Sequence, residues 1–376
     1  MKITQLRHFM PLAGPGQREP VHGDESPFRV SLGFTPAWFC RHLGLDFSRR
    51  WHQDPVYRYE SMLCMKQYIH KLFPDMEAFQ TKKNPWGAEQ SCATISGVYG
   101  VCPVGAVYGL PVQFGKEVWP DTTRHFSKEE LSRLKPIRLS ENAFVQELLT
   151  QMDVIQQQYG CIDGYLHYQG ILNSAFRLMG QEIFLEMLED PPFVRFLFDH
   201  IYQTTLELCR LVQKRQAESG FESSVFTMAN CVANMISTKL YEEFLLPYEM
   251  QMEQEFQAYG VHTCNWDVTR FIPPLQKLTR LGYLDMGMMS DLKRVREAFP
   301  RTRLAVLYHP NDIGRKPLEQ VEKDFVRIRQ EAAPCDLLLV DIGPELPMER
   351  LFAVTGLALR MEREALLGSG VVCQEM

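Results

Sequence analysis

The chain is 376 residues long, 45% hydrophobic and 23% charged, with a formal net charge of -6. That balance supplies a large core and an ordinary charged surface, as in a soluble globular protein. The acidic balance, with basic residues scattered and not gathered into a stripe, argues against a nucleic-acid partner.

No uninterrupted apolar run approaches membrane-spanning length, and the opening Met1-Lys2-Ile3-Thr4-Gln5 lacks the basic and apolar regions of a signal peptide. A cytoplasmic protein with no membrane partner is therefore expected. The ten cysteines show no paired spacing, which fits reduced thiols better than a disulfide framework.

Residues 1–27 carry Gly14-Pro15-Gly16 and Pro20 without sustained periodicity, and are expected to be an irregular N-terminal arm. Phe28 to Phe34 reads as a strand; Thr35-Pro36 then opens a helix, with threonine at the cap and proline at the first helical position. A further helix is expected near 55–72. Cys92 to Gly100 and Ala106 to Phe114 read as two β-rich stretches punctuated by glycine and proline. The charged, proline-bearing 119–140 is expected to be a surface insertion with one short helix near Ser127 to Leu131.

Beyond residue 140, helical stretches alternate with short apolar ones, as βα units do. Ser140 is expected to cap a helix to about Tyr159, and Gly164 to Gly170 to form a strand with its outgoing loop. Helices follow over about 174–189 and 192–218, then a strand from Ser224 to Ala229. Ser237 caps a helix expected to reach Ala258, closed by Gly260. Short apolar strands follow at Val261 to Cys264, Tyr283 to Gly287, Arg303 to Tyr308 and Cys335 to Ile342. Helices begin near Phe271, Asp291 and Lys316, and a last one runs from about Pro347 to Glu364. Repeated right-handed crossovers give a doubly wound sheet or a closed barrel. Their regular spacing favours an α/β fold of the (β/α)8 TIM-barrel type, one domain spanning 1–376 with an irregular N-terminal extension and insertions.

A barrel presents its reactive groups at the carboxyl ends of its strands. Those ends are rich in ligand types: His167 and Gln169, Asn230 and Cys231, His262 and Cys264, Asp285 and Ser290, His309 and Asn311, and Asp341. In an extended segment residues i and i+2 share a face, so His262 and Cys264 can offer nitrogen and sulfur to one zinc ion. A buried histidine beside a buried cysteine is the plainer alternative. Cys231, at the neighbouring strand end, is the best third ligand, against a packed loop thiol. Asp341 or His309 can complete or orient the set. The pyrrolidine of Pro310 keeps His309 extended. Cys335 begins its strand and is set aside.

Met235-Ile236-Ser237, Tyr241 to Tyr248, Gly260-Val261-His262-Thr263-Cys264, Leu284-Asp285, His309-Pro310-Asn311-Asp312 and Gly343 to Glu349 together resemble the uroporphyrinogen decarboxylase superfamily. The likeness covers about 140–360 and lies nearest the cobalamin-dependent methyltransferases of the methylcobalamin:coenzyme M type. Thr238 stands where the family motif has proline, and Asn265 where glycine usually follows His-x-Cys. The arginine-rich amino-terminal segment of the decarboxylases is not found. The resemblance implies a (β/α)8 barrel, and His-x-Cys plus a later cysteine near the last strand as zinc ligands. His262 and Cys264 match the first two. At the third position this chain reads Val340-Asp341-Ile342-Gly343-Pro344-Glu345, so either Asp341, Glu345 or Cys231 takes over, or no metal is bound.

The resulting expectation is a methyltransferase moving a methyl group between a corrinoid protein and a zinc-activated thiol or other small acceptor. Its metal ligands are His262, Cys264 and Cys231; His309 and Asp341 are catalytic; His167, Gln169, Asn230 and Asn311 bind substrate. No Asp-x-His-x-x-Gly segment for cobalamin is visible, which implies that the corrinoid (methylcobalamin) rides on a separate partner protein. The alternative is a metal-independent decarboxylase or lyase acting on a small carboxylic substrate.

Overall fold

The computed structural model describes residues 3–4, 27–76, 83–89, 92–222 and 225–368. Almost all of the expected arm, 1–27, therefore lies outside the described residues. Of that arm, Ile3–Thr4 pairs in parallel with Phe221–Glu222.

Six parallel strands form the central sheet: β1 Phe28–Phe34, β2 Val225–Ala229, β3 Ala258–His262, β4 Leu281–Gly287, β5 Arg303–Leu307 and β6 Cys335–Ile342. Their spatial order is β1-β6-β5-β4-β3-β2, so each strand from β2 to β6 lies beside its sequence neighbour and β1 flanks the last. β3, β4 and β5 are buried along their whole length, which explains their near-continuous apolar sequence. Helices Pro55–Leu72, Ala143–Tyr159, Pro191–Glu218, Leu318–Ala332 and Met348–Gly368 connect or flank the strands. No helix among the described residues is long and apolar enough to cross a membrane.

Among the described residues, beyond β2 the sheet continues as single parallel bridges, Gln169 with Ala229 and Thr94 with Asp163. The expected strand at Gly164 to Gly170 is thus an irregular extended passage. Among the described residues the hydrogen-bonded sheet has six strands and is not closed.

The two β-rich stretches expected between Cys92 and Phe114 are corrected to turns, a short helix Pro103–Val107 and a two-residue strand Val112–Gln113. Closely spaced glycine and proline prevent a ladder here, and Tyr99 itself sits at φ 57. The short helix in the 119–140 segment forms at Lys128–Leu131, where Ser127 and Glu130 make a capping box.

Other boundaries move for local reasons. Asn142, not Ser140, caps Ala143–Tyr159, accepting from Val145 N at 3.2 Å. Gly180, at φ 77, divides the expected 174–189 helix into Ile171–Met179 and Glu182–Glu189. The long helix expected from Ser237 to Ala258 keeps its Ser237 cap but runs as Thr238–Phe244 and Leu246–Gln254, with Pro247 opening the second piece. Gly260 lies within β3, paired to Thr227, and does not close that helix. A Cβ there would stand 2.4 Å from Thr227 Oγ1, so the close approach of two strands requires glycine.

Candidate metal centre

The carboxyl ends of β2 and β3 bring three soft donors together, and β4 supplies the carboxylate behind them. Ala229 and His262 are register partners, so the chains carrying Cys231 and Cys264 leave adjacent strands from one rung. Cys231 opens a 3-10 turn, Cys231–Met235, whose entry is fixed by Asn230 N donating to His262 O at 2.7 Å. Trp266 Nε1 donates to Cys231 O at 3.0 Å, tying the loop after β3 to the loop after β2.

The extended-strand reasoning for the His-x-Cys pair is corrected in one respect. β3 ends at His262, and Cys264 turns into the left-handed region at φ 61. The turn still folds its sulfur back: Cys264 Sγ lies 3.1 Å from His262 Nε2 and 2.8 Å from Cys231 Sγ. The donor atoms of Cys231, His262 and Cys264 all lie within 4.8 Å of one another.

Behind His262 stands Asp285, which is buried near the end of β4. Its Oδ2 is 2.5 Å from His262 Nδ1 and accepts from Tyr283 Oη at 2.9 Å, while its Oδ1 accepts from Thr263 N at 2.7 Å. A carboxylate facing Nδ1 keeps the proton there, so Nε2 is the nitrogen that faces the two sulfurs and the one that would give up its proton to supply a lone pair to a metal ion. Burial alone would lower the His262 pKa; the charges of Asp285, Cys264 and Cys231 outweigh it, so the ring's pKa is raised well above its ordinary value. The two thiols titrate as a pair. A hydrogen bond from Cys264, helped by His262, pulls the Cys231 thiol down, and the same bond with burial pushes Cys264 up.

Two sulfurs and an imidazole nitrogen are a zinc donor set in kind, with a fourth position left for another ligand. Sulfurs bound to one tetrahedral zinc at about 2.3 Å stand about 3.8 Å apart, so an ion would part this pair by about 1 Å.

The other expected residues take varied places. Asp341, at φ 56 on the irregular end of β6, is exposed; surrounding protein raises its carboxyl pKa, while His262 and His309 oppose that rise. It shares the field of the cluster without joining the three-residue donor set. Exposed Glu345 does not join it either. His309 caps Pro310–Arg315, its Nδ1 accepting from Asn311 N at 3.1 Å, and Asn311 itself is exposed. His167 leaves its Nε2 buried with no partner, and burial with nearby His262 and Arg177 lowers its pKa to about 3. It is a neutral imidazole beside the cluster. Gln169 accepts from Arg177 Nε at 3.0 Å. Asn230 donates its amide to Glu249, which also accepts from Tyr241. That side chain supports the β2 loop from below. Cys335, set aside from the sequence, is fully buried at the start of β6.

Asp285 figures in the sequence as one polar strand end among several, but nothing in its spacing couples it to His262. Arg177 and Glu249 lie inside helices and carry no comparable signal.

No protein-family model matches the chain, and no curated protein matches it. Among solved structures it is similar to a methyltransferase from Methanosarcina mazei, with a TM-score of 0.64 and 15% identity. That match covers 90% of this chain and 94% of the other. The two share a fold over nearly their whole lengths.

Proposed function

We propose that the protein is a methyltransferase that uses a Cys231, His262 and Cys264 zinc centre to activate a thiol or other small acceptor, with the methyl group carried by a corrinoid on a separate protein. The observation that carries this reading is the convergence of the three donor atoms at one set of strand ends, with Asp285 fixing the histidine. The fold shared with a methyltransferase agrees with it. On this reading the architecture is a (β/α)8 barrel, in which the segments around Thr94 and 163–169 occupy the places of two strands reduced to single bridges. Cys231 takes the ligand role that the family resemblance assigns to a cysteine near the last strand.

Bound zinc would supply Lewis acidity, lowering the pKa of an acceptor thiol. Asp285 and the buried Tyr283 and Thr263 hold His262 in the tautomer that exposes Nε2. On this reading Asp341, exposed at the same end, takes the acceptor's proton, and His309, whose Nδ1 accepts from Asn311 N, meets substrate through its other ring nitrogen. Neutral His167, with its unpartnered Nε2, offers a hydrogen bond to a bound ligand, and Gln169 steadies Arg177 beside it.

The reading is tested by incubating metal-loaded protein with methylcobalamin and a small thiol and following demethylation of the cobalamin by its absorbance. Thiol-dependent demethylation that disappears in His262→Ala is expected. Carbon dioxide release from a carboxylic acid, with no demethylation, would replace it with the lyase reading.

A further inference from the structure

The two sulfurs at the strand ends have a second chemistry. Cys231 Sγ and Cys264 Sγ lie 2.8 Å apart, and both residues are only half-buried, within reach of a small solute. Their chains leave β2 and β3 from the register pair Ala229 and His262. Closing the sulfurs to a bond length of about 2.05 Å requires less than about 1 Å of travel. By contrast Cys92, Cys102, Cys161, Cys209 and Cys335 are buried.

We propose that Cys231 and Cys264 are a reversible dithiol–disulfide pair, oxidised by peroxides, whose closure withdraws two of the three soft donors at the centre. One thiolate attacks a peroxide oxygen, the O–O bond breaks, and the sulfur becomes a sulfenic acid as the alcohol or water departs. The second sulfur attacks the first; the S–O bond breaks, and the hydroxide leaves as water with the remaining thiol proton. Two electrons pass from the two sulfurs to the peroxide. The proposal rests on the placement of the pair and not on the metal reading, because the cross-link is expected whether or not an ion binds.

The experiment treats full-length, chelator-stripped protein with hydrogen peroxide, blocks the remaining thiols and maps unreduced peptides by mass spectrometry. A peptide pair joined through Cys231 and Cys264 is expected, with two thiols lost per chain and both restored by dithiothreitol. In Cys264→Ser the link is lost and Cys231 is trapped as a sulfenic acid by dimedone. Sulfinic acids at the unlinked cysteines, or unreacted thiols at both positions, would overturn the proposal. Preloading with zinc is expected to slow the cross-link. Should preloading change nothing while the cross-link forms, the metal reading fails and the redox pair stands.

Discussion

His262 is oriented by a carboxylate that the sequence does not pair with it. Removing the charge but not the shape, as in Asp285→Asn, leaves Nδ1 facing an amide that can present either a donor or an acceptor, so the tautomer is no longer fixed. Zinc affinity is expected to fall about 10- to 100-fold, measured by competition with a chromophoric chelator; unchanged affinity would remove Asp285 from the centre. Glu249 gives a pH signature at the same scale. Burial raises its carboxyl to about 7, against the hydrogen bonds from Tyr241 and Asn230. An unfolded glutamate titrates near about 4.3, so the folded state holds the proton more tightly and stability falls as pH rises from about 4.3 to about 7. Glu249→Gln has no such loss. Its stability relative to the native chain should rise across that window by on the order of 3 kcal/mol and then level off, as read by denaturant unfolding at a series of pH values. A flat difference would place the carboxyl at its ordinary value.

At the scale of elements, the centre depends on the loops after β3 and β4 lying against each other. A Cβ on Gly287 would meet the Asn265 carbonyl oxygen at 2.6 Å, while Gly287 N already donates to Trp266 O at 2.7 Å. Gly287→Ala should therefore push the loop that carries Cys264, costing about 1–3 kcal/mol of stability and weakening metal binding in the molecules that still fold. Thermal unfolding and metal titration of the same preparation separate the two effects. The strands β4 to β6 were legible because each is a short apolar run between helical patterns, and the Thr35 and Ser237 caps because hydroxyl capping is a local interaction, whereas of β3 only the last two residues were, its first three reading as a helix end. The stretch from Cys92 to Phe114 was not, since alternation suggested ladders that its turns could not join. The donor cluster was legible in identity through the His-x-Cys spacing. Its geometry was not, because Cys264 reaches the site through a left-handed turn that no periodicity announces.

Across the whole molecule, the two ends of the sheet do different things. At the amino ends, buried Asp336 of β6 accepts from Arg29 of β1 at 2.8 and 3.0 Å and from Arg303 of β5 at 2.5 Å, which ties three strands together. Asp336→Ala leaves the fully buried Arg303 without that carboxylate, and is expected to cost about 3–5 kcal/mol while folded molecules keep their metal stoichiometry. Stability loss without metal loss, seen by unfolding and metal analysis together, would separate the two ends. The carboxyl ends hold the chemistry, and the central claim concerns them: Cys231, His262 and Cys264 form one zinc centre. Metal analysis of the reduced, purified chain and of Cys231→Ser, His262→Ala and Cys264→Ser tests it most directly. The account predicts about one zinc per native chain and loss of tight binding in each variant, since three protein ligands hold such a site. A native chain with no zinc, or three variants that all retain it, would contradict the account.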